Sequence, residues 1–134
     1  MPVAIDPAST WEYSLKGDTT GTVFTLGVID SSTRRHIDDK HLKIDADGKT
    51  RKMTEEQLHD KYWMFAQFGL RGWRGFKDSK GQEVPFKTAS IDFGGVRRTV
   101  VSDESLNFLD LKWIVELGIS ITQGNRLLEQ DEKN

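Results

Sequence analysis

The stretch Thr10-Trp11-Glu12-Tyr13-Ser14-Leu15-Lys16 alternates polar and apolar residues without a break. Successive side chains of a strand point to opposite faces, so a period of two buries Trp11, Tyr13 and Leu15 on one side and leaves the other side wet. Gly17 to Gly21 supply turn chemistry. Thr22 to Ile29 is rich in β-branched and aromatic residues and reads as the returning strand. Strands are therefore expected over residues 10–16 and 22–29, paired as a hairpin. Ahead of them, residues 1–9 read as an extended arm, because Pro2 and Pro7 disfavour helix.

Downstream, the period changes. Asp30-Ser31-Ser32 is a helix start, and residues 32–43 could form a short polar helix anchored by Ile37 and Leu42. Ile44 to Lys52 reads as a polar link. Thr54 and Gln57 fit a capping box, in which a hydroxyl and an amide each satisfy an orphan amide of the first turn. Leu58, Tyr62, Phe65 and Ala66 then recur at spacings of three and four, which predicts a helix over about 54–68. Gly69, Gly72 and Gly75 read as a loop that ends it, since each glycine costs roughly 1 kcal/mol inside a helix. Asp78 to Gly81 reads as a turn. A second hairpin follows: Ala89, Ile91 and Phe93 alternate, Gly94-Gly95 suits a two-residue turn, and Val96 to Val101 is β-rich. In that register Asp92 faces Arg97. Ser102 or Asp103 caps a last helix over 103–123, with Gly124 as its stop and residues 128–134 as a charged tail. The fold class expected is α+β: one domain of 134 residues, with two β-hairpins, or one antiparallel sheet made from both, packed against two main helices.

Composition narrows the function. The hydrophobic fraction is 36% and the charged fraction 30%, yet four Trp, seven Phe and two Tyr can supply a core from few residues. The net charge of −2 gives no global field to recruit nucleic acid or an anionic membrane. The absence of Cys excludes disulfides, thiolate metal sites and Cys nucleophiles, and fits a reducing compartment. The first ten residues lack the regions of a signal peptide, and no apolar run approaches the roughly 18 residues of a membrane span.

No constellation of catalytic type emerges. Aligning Gly48 of Asp45-Ala46-Asp47-Gly48 with the glycine of an EF-hand puts Lys43 and Thr54 where the loop needs carboxylates. His36 and His41 are five apart and do not share a helix face, and with His59 they suggest no zinc set. Gly118-Ile119-Ser120-Ile121-Thr122 lacks the second glycine of a nucleophile elbow and lies in a predicted helix. The pairs Glu55-Glu56 and Asp103-Glu104 sit at helix starts, where the dipole favours them. No cofactor, metal or catalytic residue is expected. The segment Gly69-Leu70-Arg71-Gly72-Trp73-Arg74-Gly75-Phe76 admits two readings. Trp73 and Phe76 pack inward, or Arg71, Trp73 and Arg74 join Arg97 and Arg98 as a small nucleic-acid-binding module that stacks bases. The packing reading is preferred.

Several pieces stand in order along the chain: Ala4-Ile5-Asp6-Pro7 before Trp11-Glu12-Tyr13, then Thr22-Val23-Phe24-Thr25-Leu26, Gly72-Trp73-Arg74-Gly75-Phe76 before Gly81-Gln82-Glu83-Val84-Pro85-Phe86, and the ending Glu129-Gln130-Asp131-Glu132-Lys133-Asn134. This arrangement resembles a group of small tailed-bacteriophage and prophage proteins that open on A-I-D-P…F/W-E-Y, carry a central G-W-x-x-F…G-x-E-V-P-F and end in E-E-x-K-N. Residues 30–52 depart from that group, which has a more regular amphipathic helix there. The resemblance implies a tail assembly chaperone or minor structural component, without chemistry of its own. It implies phage structural or assembly proteins as partners, self-association as an option, and a place in the bacterial host cytoplasm or in the particle.

The region expected to face a partner is the last helix with its tail. Leu106, Leu109, Trp113, Leu117 and Ile121 make one apolar stripe, and Leu111, Ile114, Val115 and Ile119 widen it beyond the single stripe that a surface helix of a monomer needs. Trp113, Leu117 and Ile121 are the contact residues this suggests, with Glu129, Asp131 and Glu132 of the tail steering association. Deletion of residues 127–134 is accordingly expected to leave the melting curve intact and to slow association with the partner. An unfolded deletion variant would make those residues structural.

Overall fold

The computed structural model describes residue 6, residues 8–41, 43–44, 50–51 and 54–133, with side chains for residues 6, 8–39 and 54–125. The opening hairpin forms: β1 (Thr10–Tyr13) runs antiparallel to β2 (Val23–Gly27), with Trp11 opposite Leu26 and Tyr13 opposite Phe24. Just before β1 the chain turns, since the Asp6 carbonyl accepts the Ser9 amide at 3.1 Å and Asp6 Oδ1 the Ala8 amide at 2.9 Å. The expected extended arm therefore does not run straight into the sheet, and residues 1–5 and Pro7 lie outside the described residues.

Asp30 starts α1 (Ser31–His41) by accepting the Thr33 amide on Oδ1 at 2.8 Å, and Ile37 is its buried anchor, as its spacing predicts. Leu42 lies outside the described residues, as does the segment Asp45-Ala46-Asp47-Gly48. The polar link contains a short ladder, β3 (Lys43–Ile44) against β4 (Thr50–Arg51). Thr54 closes both halves of its capping box with Gln57 and starts α2 (Glu55–Gly69).

The glycine-rich segment is where the structure departs most from expectation. Residues 70–74 are not a loop but a third strand, β5 (Leu70–Arg74), antiparallel to β2, which becomes the centre of the sheet. The pairing slips by one residue: Phe24 faces Trp73 and Thr25 faces Gly72, but Leu26 faces Leu70, which leaves Arg71 as the extra residue of a bulge. Phe24 and Leu26 are two apart on one face of β2. Their partners Trp73 and Leu70 are three apart, and only the bulge lets both point at the core.

After the turn at Asp78–Gly81, the second hairpin matches its expected register. β6 (Thr88–Phe93) pairs with β7 (Val96–Val101), Asp92 sits opposite Arg97, and Gly94 and Gly95 both hold positive φ in the two-residue turn. It does not join the first sheet, so the fold is α+β with separate three-stranded and two-stranded sheets besides the short β3–β4 ladder.

The single helix expected over 103–123 is two. Ser102 accepts the Ser105 amide and caps α3 (Asp103–Leu106), which stops at Asn107. Asp110 then restarts the chain as α4 (Leu111–Lys133) by accepting the Lys112 amide on its side chain at 3.0 Å. Nor does Gly124 end the helix, which continues to Lys133 and takes in most of the expected tail. Gly124 is there for packing: a Cβ at that position would lie 2.1 Å from the Trp11 ring.

Two other glycines join α4 to α2. A Cβ on Gly118 would come within 2.6 Å of the Tyr62 carbonyl oxygen, and one on Gly69 within 2.7 Å of Ile121. The helices thus meet backbone to backbone, with Ile114, Leu117 and Ile121 buried between them and the sheet. Asn125, one turn further on, is buried; its Oδ1 accepts the Ile29 amide at 3.1 Å and its Nδ2 donates to the Ile121 carbonyl at 2.7 Å.

Alanine at position 118 gains about 1 kcal/mol of helix propensity and must force α2 and α4 apart, which costs up to about 3 kcal/mol. Gly118→Ala is expected to lose about 1–2 kcal/mol in urea denaturation. Gly72→Ala, whose Cβ would meet open space, is the control expected to stay near wild type.

Candidate functional site

Trp73 is a packing residue. Its indole Nε1 donates to the Val84 carbonyl at 2.8 Å, and its ring meets Phe24, Phe76 and Phe86 edge-on at centroid distances of 6.2, 5.1 and 4.9 Å. Four aromatic rings thereby tie β2, β5 and the Pro85 segment together. The preferred reading of Trp73 and Phe76 matches this geometry.

The arginines of the nucleic-acid reading do not share one face. Arg74 reaches Glu12 with both contacts at 3.1 Å, and Arg97 lies 3.9 Å from Asp92 across the hairpin. Arg98 donates to Asp30 at 2.5 Å. Arg71 crosses Gly27, where a Cβ would lie 2.3 Å from its Nε, and donates to the Val28 carbonyl at 2.6 Å. The structure brings Arg71 and Arg98 together beside Asp30, leaves Arg74 at the other end of β5, and pairs three of the four with a carboxylate.

Of the expected partner-facing residues, Leu117 and Ile121 are fully buried. The contact they were expected to make with a partner is made with α2 instead. Trp113 is half-buried. Glu129, Asp131 and Glu132 fall within α4, their side chains outside the described set. The apolar surface that remains is the back of the same helix. Leu111 is 44% exposed and Ile119 36%, with half-buried Val115 between them at spacings of four, and Phe108 in the preceding turn is 50% exposed. Residues four apart share a helix face, so this is a stripe rather than scattered side chains.

Beside the start of this helix lies a groove of about 660 Å3. Leu15, Phe24, Phe76 and Trp113 give it an apolar lining, and the hairpin loop with Thr20 and Thr22 forms its rim. The rim is internally engaged. Thr20 donates to Asp18 at 2.7 Å, which holds that carboxyl below its ordinary pKa, and Thr22 donates to the Gly75 carbonyl at 2.9 Å. Nearby, the Tyr13 hydroxyl donates to Glu116 at 2.6 Å, and the same carboxylate oxygen accepts the Lys16 amide at 2.9 Å. Burial pushes the Tyr13 phenol up, and the Glu116 carboxylate adds to the shift. With the Thr20 and Thr22 hydroxyls committed, the groove can receive an apolar side chain, and its volume is in the range of ligand pockets.

The periodicity of residues 103–123 included Leu111, Val115 and Ile119, but the stripe read as facing a partner was that of Leu117 and Ile121, which faces inward. Gly118, between Leu117 and Ile119, was the available signal, since a helix tends to carry its glycine where another backbone approaches. Among the described residues no three His, Asp or Glu side chains gather as a metal set, and no helix is long and apolar enough to cross a membrane. Comparison with known protein families, with curated proteins and with solved structures finds no match to this chain.

Trp73→Ala is expected to lose about 3 kcal/mol, the low end for a buried Trp because this one is half-exposed; thermal or urea unfolding reads it. Asp30 gives a pH-dependent case. Burial raises its pKa, but the Thr33 amide, the nearby Thr33 hydroxyl (which lacks hydrogen-bond geometry) and Arg98 together lower it below the ordinary value. A lowered carboxylate stabilises the fold above its unfolded pKa and loses that contribution as pH falls through the native one. Asp30→Asn should therefore be less stable than wild type at pH 7, and the gap should close under acid.

Proposed function

We propose that this protein is a non-enzymatic component of tailed-phage particle assembly that binds another phage protein through the outer face of α4. The observation that carries the reading is the exposed stripe Leu111–Val115–Ile119 with Phe108 at its foot, on a helix whose opposite face is already filled by α2. Exposed apolar surface in a continuous stripe, unlike single exposed residues, marks an interaction site. Trp113, in the first turn of the same helix, lines the groove, so a partner crossing the stripe can seat an apolar side chain there. The order of sequence pieces that resembles small phage and prophage proteins supports the assembly role, most closely that of a tail assembly chaperone or minor virion component. The partner is then a tail or head protein or a second copy of this chain, and the setting is the host cytoplasm or the particle. The nucleic-acid reading finds no support in the placement of the arginines.

The test is a sedimentation experiment on the protein alone and with the tail and head proteins of a phage that encodes it. Wild type is expected to co-sediment with one of them or to self-associate. A variant with Leu111→Glu and Ile119→Glu is expected to remain apart while melting as wild type does, since both positions are solvent-exposed. Assembly that persists in this variant rules out the α4 face, and a wild-type chain that joins none of these proteins rules out the assembly role.

A further inference from the structure

We infer that the cleft between the start of α1 and β7 is a binding site for a single carboxylate group. Thr33 is 2% exposed, and its Oγ1 is buried without a hydrogen-bond partner among the described residues; the Nε of Arg98 is buried in the same condition. Both side chains line a cleft of about 60 Å3, together with Asp30, Phe68, Arg71 and Thr99. A buried polar atom left unpaired is costly, so two at one place favour a polar group that can partner both.

The chemistry of that ligand follows from the balance of donors and charges. The one carboxylate present is committed: Asp30 Oδ1 takes the Thr33 amide and Oδ2 takes Arg98 Nη1. What remains on offer is the Arg98 Nε–H, the Thr33 hydroxyl and the free N–H groups of Arg71, which makes no ion pair among the described residues. Two guanidinium groups face one carboxylate, and the positive end of the α1 dipole lies at the same point. Burial holds the Arg71 pKa below its ordinary value, and Asp30 offsets only part of this. A planar acceptor with one negative charge completes such a set, by the charge-assisted bonds that arginine makes best. The cleft is small and open to solvent, so its floor admits one carboxylate group while the rest of any larger acid stays outside its mouth. Arg71 and Thr99 are exposed and open it to solvent, and Phe68 closes its inner side.

This site is separate from the α4 face and stands or falls apart from it. Titration with sodium formate at fixed ionic strength, followed by NMR at the Arg71 and Arg98 Nε–H and Thr33 amide signals, is the test. Expected is a saturable shift of all three. Thr33→Val keeps the shape of the residue and Arg71→Met keeps its stem, and each is expected to weaken formate about tenfold, the worth of one charge-assisted hydrogen bond. No saturable shift in wild type, or wild-type affinity in both variants, overturns the site, as does a high-resolution crystal structure from formate that shows water alone there. A blocked tripeptide with a central glutamate separates the sources. If it displaces formate where its glutamine counterpart does not, the site takes an acidic side chain of a partner. If formate binds and the peptide does not, the site takes free small acids.

Discussion

The close packing of α4 on α2 depends on the absence of a side chain at Gly118. The α2 backbone at Tyr62 comes so close that even a methyl group would collide. That contact fixes the rotation of α4 about its own axis. Ile114, Leu117 and Ile121 then turn inward, Gly124 slides over the Trp11 ring, and Asn125 arrives where the Ile29 amide needs an acceptor. The exposed stripe is the same rotation seen from outside: once one row of apolar residues is committed to α2, the row behind it stays largely open among the described residues.

The bulge at Arg71 plays the matching part in the sheet. It returns Leu70 to the core side after Trp73 and places a long cationic side chain across a glycine at the end of β2. Sheet geometry and charge placement are thus one event. The residue left over by the mismatch in spacing is the one that reaches the start of α1, where Arg98 arrives from the other hairpin. Two sheets that share no ladder are joined there through Asp30.

What could be read from the sequence was what neighbouring residues decide among themselves. The alternation of Trp11 and Tyr13, the reciprocal cap of Thr54 and Gln57, the Gly94-Gly95 turn and the pairing of Asp92 with Arg97 each depend on a few adjacent positions. The misses came where distant chain overrode the local pattern. β5 was hidden because Leu70 and Trp73 are three apart, and a bulge removes the period of two by which strands are recognised. Gly124 looked like a stop because glycine after a helical run commonly is one, and only Trp11, more than a hundred residues away, explains it. The break at Asn107 was legible in principle, since Asp110 before Leu111 is a fair helix start, but the unbroken spacing of Leu106, Leu109 and Trp113 concealed it. For the site, the amount of apolar surface on the last helix was legible and its orientation was not.

Asn125 sets a timetable for the growing chain. The amide of Ile29, which leads from the first hairpin into α1, has its acceptor 96 positions later in the sequence. Contacts of such separation bear a large loop-closure cost and form late. During synthesis on a ribosome, the hairpin and the first two helices emerge long before the residue that completes them. Until then Trp11 has no Gly124 above it, and α2 has no Gly118 beside Tyr62. An N-terminal half without the last helix would therefore leave its aromatic sheet face short of cover, which ties its protection to how quickly that helix follows.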